Sequence, residues 1–375
     1  MGYISSLKLN AFRSYDQTAL DNLPCGPVIF FGDNGAGKTN ILEAVSLLTP
    51  GRGLRGAALS DIQNNAITTR GFAIAAEVQT DVGIVRLGTG LDPLKPEKRQ
   101  VRIQGETAKS QTALGDYLTA VWLTPQMDRL FIDSAGTRRR FFDRMVASLD
   151  PAHTGRITRY ENALAQRSKL LRSGNMDDGW LGGLEETMAH SGLAIAAARV
   201  DFLEKLMQAC TQIVPEAGFE FPLPRCSLDG YLEGEIGPKS ALAIETQFKQ
   251  SLKEDRKQDA QQGGASKGIH RTDFKVVFDA KSMPADQCST GEQKALLTTI
   301  ILGHARLLTA ERGFAPLILL DEIPAHLDER KRDILYNILL GNGSQLWLTG
   351  TDIQFFNSIA KKARIFEVKD GIKPV

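Results

Sequence analysis

The sequence predicts an α/β protein in two lobes: a nucleotide-binding lobe with a mixed sheet, assembled from both ends of the chain, and a mainly helical insertion between them. Three observations carry this. "VIFFGDNGAGKTN", residues 28–40, reads as a buried strand, a glycine-rich turn and the start of a helix. "PLILLDE", residues 316–322, is a second apolar run, and it ends in two carboxylates. Between them the apolar residues change from strand-like alternation to helical spacing. A chain of 375 residues is also longer than one hydrophobic core usually serves. The expected division is 1–135 for the first half of the nucleotide-binding lobe, 136–265 for the helical insertion, and 266–375 for the second half.

Each element has its own local reason. "YISSLKLNAF" alternates as a half-buried strand does, and "VIFF" is short and apolar throughout. In "KTNILEAVSLL", Ile41, Leu42, Val45 and Leu48 share one helical face, so strand, turn and helix follow in the order a phosphate loop needs. "AIAAEVQT" and "GIVRLGTGL" pair as a hairpin around Asp81, Val82 and Gly83.

"RRRFFDRMVASLD" and "TRYENALAQRSKLLRSG" are helical, with Gly174 as a stop. The next helix starts near Asp177, spaces Trp180, Leu184, Met188, Ile195, Phe202, Leu206 and Ile213 along one face, and ends before Pro215. These stripes suit packed helices and are far too short for a long coiled-coil arm. Residues 249–268, "KQSLKEDRKQDAQQGGASKG", read as a solvated helix end and a flexible loop. After Phe274 the pattern returns to α/β: "PLILLDE" a strand, "ERKRDILYNILL" a helix, "QLWLTGT" a strand, "ARIFEVKDGIKPV" a terminal strand pair.

Bulk properties exclude several classes. The composition, 42% hydrophobic and 24% charged, is that of a soluble globular protein. Net charge is +1, so contact with nucleic acid needs local patches rather than a global field. Cys25, Cys210, Cys226 and Cys288 are scattered, with no CxxC pair and no histidine at metal-ligand spacing. They read as isolated reduced thiols of a cytoplasmic protein, without a disulfide framework or a zinc site. Met1, Gly2 and Ser6 formally match an acylation pattern, but Tyr3 to Leu9 reads better as a core strand, and no signal peptide is predicted. No apolar run approaches the ~20 residues of a membrane helix.

The phosphate-loop chemistry is explicit. Gly32, Asp33, Asn34, Gly35, Ala36, Gly37, Lys38 and Thr39 fit GxxxxGK[ST]. Glycines let backbone N–H groups turn toward a phosphate, and the helix that follows directs its N-terminal dipole at the anion. Lys38 then reaches the β/γ oxygens of ATP, and Thr39 offers a hydroxyl to Mg²⁺. In the acidic strand Asp321 is the second metal-side group, and Glu322 is placed to polarise a water as general base.

"CSTGEQKALL", residues 288–297, opens a helix upstream of that strand. It resembles the signature motif of the ATP-binding-cassette superfamily, so the nucleotide-binding lobe is expected to be an ABC-type ATPase head. The resemblance implies that Ser289, Gly291 and Glu292 act in trans on a nucleotide held by a second subunit. A plain serine cap is the alternative.

The insertion between Thr39 and Ser289 is longer than the helical subdomain of transporter ATPases and lacks the long coiled coil of chromosome-organising SMC proteins. Together with "LKLNAFRSY", "LLTPGRGLRGA", "TRRRFFDRMV", "GIHRTDF" and "DEIPAHLD", it makes the whole chain resemble the bacterial RecF family of recombination-mediator ATPases. Alternatives from other classes are a transporter ATPase subunit and an SMC-like chromosome-structure ATPase. The first should show a switch histidine, where this chain has "WLTGTD"; the second should show heptads over hundreds of residues.

The resemblance implies further roles. Asp328 in "HLD" is the loop aspartate at a subunit interface, and Thr349 or Thr351 stands at the switch position. Gln126, with Asp128 beside it, belongs to the lid loop, and Arg13 approaches the nucleotide base or α-phosphate. His326 stands where relatives carry an acidic residue, which alters an interface contact. No chemistry follows for His270 and Arg271.

The family also implies an ATP-dependent homodimer on duplex DNA next to single-strand gaps. RecR and RecO are its partners, and loading of the RecA recombinase is the outcome. Arg52, Arg55, Arg138, Arg139 and Arg140 are the arginines dense enough to meet DNA phosphates, followed by Lys249, Lys253, Arg256 and Lys257.

Overall fold

The computed structural model describes residues 2–64, 71–92, 95–174, 177–218, 220–322, 327–369 and 371–375. The chain forms two compact units, one of Met1–Asp128, Gln212–Phe221 and Leu297–Val375, the other of Arg129–Thr211 and Pro222–Leu296.

In chain order the first part of the molecule gives β1 (Tyr3–Phe12), β2 (Tyr15–Leu20), β3 (Pro27–Phe31), α1 (Lys38–Ser46), α2 (Leu59–Ile62), β4 (Ala73–Thr80), β5 (Gly83–Asp92), β6 (Lys95–Ile103), β7 (Glu106–Thr107) and β8 (Ala120–Leu123). The middle gives α3 (Ala135–Leu149), α4 (His153–Arg172), α5 (Asp178–Glu216), β9 (Pro224–Asp229), α6 (Ala241–Glu254), α7 (Arg256–Gln262), β10 (Asp273–Phe278) and β11 (Met283–Pro284). The last part gives α8 (Thr290–Arg312), β12 (Leu317–Leu320), α9 (Glu329–Gly341), β13 (Leu346–Gly350), β14 (Arg364–Val368) and β15 (Ile372–Pro374).

Two sheets build the first unit. One is antiparallel, in the order β2-β1-β4-β5-β6-β7, and contains the expected β4–β5 hairpin with Thr80 opposite Gly83. The other runs β15-β14-β3-β13-β12-β8, parallel from β14 to β8, with β15 antiparallel at its edge. Its inner strands are buried on both faces, which is why they read as unbroken apolar runs. Phe30 on β3 stacks on Trp347 of β13 and on Phe366 of β14, with ring centroids 5.9 and 5.3 Å apart. Ile41, Leu42 and Val45 of α1 complete this core.

The second unit packs helices around Tyr160, Met188, Ile195, Phe248 and Leu252, beside the three-stranded antiparallel sheet β11-β10-β9. Phe142 stacks on Phe274 of β10 at 4.7 Å. Because β10 pairs with β9 along Asp273–Phe278, residues 266–296 group with the helical unit, although the sequence places them with the nucleotide-binding lobe.

Two local expectations change. α5 continues through Pro215, since Ile213, Val214 and Ala217 are buried around it and their packing outweighs one lost backbone bond. Trp180 lies off the buried face, 55% exposed. The expected helix end at 249–268 includes α7, where Asp259 turns inward and takes a 2.7 Å bond from the buried Arg167, and the loop follows from Gly263. No described helix is long and apolar enough to cross a membrane.

Candidate nucleotide-binding site

The strand order creates the site. β13 lies between β3, which leads into the glycine loop, and β12, which leads into Asp321 and Glu322. The last residues of β13 therefore stand between the loop and the acidic pair. Gly32 donates its N–H to Gly350 O at 3.3 Å, which ties the loop to that strand.

Two loop glycines are required sterically. At Gly32, φ is +149°, and a Cβ would stand 2.3 Å from Val368 O. Gly37 has φ +105°, and a Cβ there would meet Ser14 Oγ and Tyr15 Oη at 2.9 Å; the Tyr15 hydroxyl donates to Gly37 O at 3.1 Å.

Lys38 is buried. Its ammonium donates to Gly32 O at 2.7 Å and Asp33 O at 2.8 Å, and stands 3.9 Å from Glu322 Oε1. Burial holds its pKa below the usual lysine value, opposed by the charges of Glu322, Asp321 and Asp33.

Four side chains then form a chain of contacts. The Thr39 hydroxyl donates to Asp321 Oδ1 at 2.9 Å, and the Thr349 hydroxyl donates to the same oxygen at 2.8 Å. Thr349 Oγ1 also accepts the Glu322 N–H at 2.9 Å. Glu322 has φ +55°, a left-handed conformation uncommon outside glycine and a kind of strain that gathers at functional sites. The Asp321 oxygen thus accepts two hydroxyls. A hydroxyl and a carboxylate oxygen side by side are hard donors of the kind Mg²⁺ takes, and Mg²⁺ bound with a nucleotide needs only one or two protein carboxylates. Among the described residues no cluster of three or more His, Cys, Asp or Glu could hold a metal by itself.

The remaining expected groups in this unit have other surroundings. Arg13, with φ +52°, makes a two-pronged pair with Glu43 of α1 at 2.8 and 2.6 Å, and donates to Asp61 O at 2.5 Å. Arg55 donates to the same Glu43 at 2.8 Å and to Asn40. Both arginines therefore brace the helix behind the phosphate loop. Glu43 gave no signal in the sequence; a carboxylate on the buried face of an amphipathic helix is the feature that could have found it. Gln126 is exposed on the turn after β8, and it leaves the sheet at the same end as Asp321 because Leu123 pairs with Leu320. Asp328 caps α9 by accepting the Lys331 N–H at 2.9 Å. His326 lies outside the described residues.

In the second unit, Ser289 and Glu292 form a capping box. Ser289 gives its N–H and its hydroxyl to Glu292 Oε2, each at 2.8 Å. Lys281 pairs with the other carboxylate oxygen, and it is the first cause of a Glu292 pKa held down at about 2. Ser289 and Gly291 are exposed.

The arginine run of α3 is largely structural. Arg138 makes a two-pronged pair with Asp273 at 2.8 Å, and Arg139 donates to Thr272 O at 2.9 Å. Arg140 is exposed, with a bond to Thr137 Oγ1. Two of these three guanidiniums thus fasten α3 to β10. Lys249, Lys253 and Arg256 pair with Glu186, Asp178 and Glu185.

"GIHRTDF" proves to be a clasp. Ile269 O takes Arg199, Thr272 Oγ1 donates to Glu233, and Asp273 takes Arg138. His270 donates Nε2–H to Ala265 O and accepts the Tyr160 hydroxyl at Nδ1, both at 2.9 Å. Burial lowers its pKa, consistent with the neutral ring this arrangement needs.

The chain is similar to known proteins over nearly its whole length. The family described as RecF/RecN/SMC N terminal domain matches residues 3–374. A protein of Mesorhizobium japonicum called DNA replication and repair protein RecF is 45% identical over 370 residues, covering 98% of this chain and 97% of its own length. The Brucella suis protein of the same name is 45% identical over 371 residues, covering 98% and 95%. Among solved structures, the recombination mediator protein RecF-ATPrS of the RecFOR pathway superposes with a TM-score of 0.87 at 21% identity, covering 100% of this chain and 98% of that one. An Smc head domain from Pyrococcus furiosus shares the fold at a TM-score of 0.54 and 18% identity, covering 100% and 96%.

Proposed function

The chain belongs to the RecF family, and from that premise we propose that it is an ATP-driven DNA clamp of recombinational repair and replication restart. The family carries ATP-hydrolysing heads and a recombination-mediator role. Relatives this similar along the whole chain leave no ground for a transporter subunit, and the Smc likeness is one of fold.

In this reading the backbone N–H groups of Gly32–Thr39 and the Lys38 ammonium hold the β- and γ-phosphates. Lys38 gives up its loop carbonyls for phosphate oxygens, for which an ammonium has the greater attraction. Thr39 and Asp321 would hold Mg²⁺, which when bound offsets phosphate charge. The Glu322 carboxylate orients the attacking water and accepts its proton. Thr349 positions both carboxylates, through the Asp321 oxygen and the Glu322 N–H. Gln126 reaches the same sheet end from the lid.

The exposed Ser289 and Gly291, with Glu292, meet the γ-phosphate of a second copy, and Asp328 faces that copy. ATP thereby joins two heads into a homodimer. Hydrolysis is weak until the dimer completes each site, and DNA stimulates it by favouring the dimer. The closed dimer holds duplex beside a single-strand gap, with the exposed Arg52, Arg55 and Arg140 facing its phosphates. Release follows hydrolysis. RecR and RecO work beside it in the cytoplasm, so that RecA loads on the gap.

The observation that carries this reading is the Thr39–Asp321–Thr349–Glu322 chain of contacts, because it couples the metal-side oxygen to the backbone of the general base. The test is the molar mass in solution with and without ATP, for wild type and Glu322→Gln, in the presence and absence of a gapped duplex. An ATP-dependent dimer, trapped by Glu322→Gln and retained on duplex, is expected. A monomer under every condition, with no retention on DNA, would leave a nucleotide site and remove the clamp.

A further inference from the structure

The first unit contains an open cavity of about 710 Å³ whose lining includes no residue of the phosphate loop. Leu47, Ala57 and Leu59 form its apolar part, and Arg52, Lys98 and Arg99 its charged part. No described lining residue is acidic. Asp61, next in sequence to the lining Ser60, takes that serine's hydroxyl at 3.0 Å.

Arg99 makes this a built feature rather than a chance patch. It is 6% exposed, and its guanidinium has neutral acceptors: Thr89 Oγ1 at 2.8 Å, Gly51 O at 2.5 Å, Gln111 Oε1 at 3.3 Å and Leu47 O. Burial pushes its pKa down to about 10, so it remains charged at neutral pH. Carbonyls at the end of α1 offset part of that charge, because a helix C-terminus is partially negative. They cannot neutralise it. A cation with no carboxylate partner among the described residues, between low-dielectric walls and with two more cations beside it, focuses positive potential into the cavity.

The backbone is shaped for the purpose. Gly51, Gly53 and Gly56 have φ of +104°, +74° and +60°, and a Cβ on Gly53 would stand 2.8 Å from Leu47. The positive φ at these positions favours glycine, and it is this loop that carries Arg52 to the cavity.

We propose that this cavity is a second anion site, which takes a phosphate ester with a flat or apolar body: a nucleoside monophosphate unit, either free or at the end of a nucleic-acid strand. The phosphate meets Arg52 and Lys98, with Arg99 behind them, and the base or sugar covers Leu47, Ala57 and Leu59. The volume lies in the range of about 300–1,000 Å³ usual for small-ligand sites. The strand-end form rests on the clamp reading, and the free-nucleotide form does not.

Calorimetric titration of the full chain carrying Lys38→Ala, in Mg²⁺-free buffer, takes the phosphate loop out of the measurement. The probes are inorganic phosphate, AMP, and an oligothymidylate with either a 5′-phosphate or a 5′-hydroxyl. AMP is expected to bind more tightly than inorganic phosphate. Adding Arg52→Ala with Lys98→Ala is expected to weaken AMP about tenfold or more, the loss of two charge-assisted contacts.

Ser60→Trp, which obstructs the cavity without changing charge, is expected to weaken it similarly. These three positions are partly or fully exposed, so each variant should melt with its parent. Preference for the 5′-phosphorylated strand assigns the strand end; AMP binding without that preference assigns a free nucleotide. Absence of binding by both AMP and the 5′-phosphorylated strand, or binding unchanged by either variant, overturns the site. Neither of those results touches the ATP-dependent dimer, which is read by molar mass.

Discussion

The helical unit and the nucleotide site bury charge in opposite ways. In the helical unit Arg199 is surrounded by Asp143 and Glu233, and Arg167 by Glu185 and Asp259, at 2.6–3.0 Å. Each buried cation there already has its anions. At the nucleotide site the buried Asp321 has hydroxyl partners, Thr39 and Thr349, and Lys38 donates chiefly to loop carbonyls. Neutral partners can be exchanged for a cation or a phosphate at modest cost; opposite charges inside a core cannot. The difference separates charges that hold the fold from charges still available for chemistry.

The largest expected effect tests the available kind. Glu322→Gln keeps size and hydrogen bonding but removes the base, so single-turnover ATP hydrolysis should fall by about 10²–10⁴-fold while ATP binding persists. Unchanged hydrolysis would mean that Glu322 is no more available than the buried glutamates of the helical unit.

Next comes the committed kind. Arg199→Met leaves Asp143 and Glu233 without their shared cation, which should cost the helical unit about 3–5 kcal/mol in denaturant unfolding. ATP binding by the first unit should change little. A loss under about 1 kcal/mol would break the comparison, since the arginine would then be no better anchored than a surface pair.

Thr349→Val sharpens the contrast within the nucleotide site. It removes the donor to Asp321 and the acceptor of the Glu322 N–H, and about 1–3 kcal/mol of transition-state stabilisation should go with them. Thr349→Ser should restore most of the rate. Failure of serine to rescue would assign the loss to packing on β13 rather than to the hydroxyl.

What was legible in the sequence follows from how far each partner lies along the chain. The phosphate loop and the acidic strand were legible because their chemistry is local: an apolar run, then glycines or carboxylates. The hairpin at Thr80–Gly83 and the terminal strand pair were legible for the same reason. The position of β13 between the two functional strands was not, because strand order is a long-range property; yet it is what gives Thr349 its two contacts. The pairs Arg138–Asp273 and Arg167–Asp259 were not legible either, because their members lie 135 and 92 positions apart. Charge density along a sequence cannot distinguish a guanidinium bound for solvent from one bound for a distant carboxylate. The cavity around Arg99 escaped notice because its cations come from separate segments, Arg52 from one and Lys98 and Arg99 from another.

The smallest effect concerns a charge between the two kinds. Glu292 is half-buried, and Lys281 and the Ser289 cap hold its pKa at about 2, below the ordinary 4.5. A carboxylate whose pKa is depressed on folding lends stability that is present above the unfolded value and lost as pH falls toward the folded one. The capping box should therefore persist down through pH 4.5 and open only as pH approaches 2. Carboxyl chemical shifts of Glu292, followed by NMR from pH 6 downward, should show no step near 4.5. A midpoint near 4.5 would mean that the box does not form in solution and that Ser289 is already free to meet an anion. With the box formed, the hydroxyl of Ser289 must turn from Glu292 to reach a phosphate. Glu292→Gln loosens that hold by removing the charge, and it should shift ATP-dependent dimerisation by a few-fold at most, because a glutamine still caps the helix.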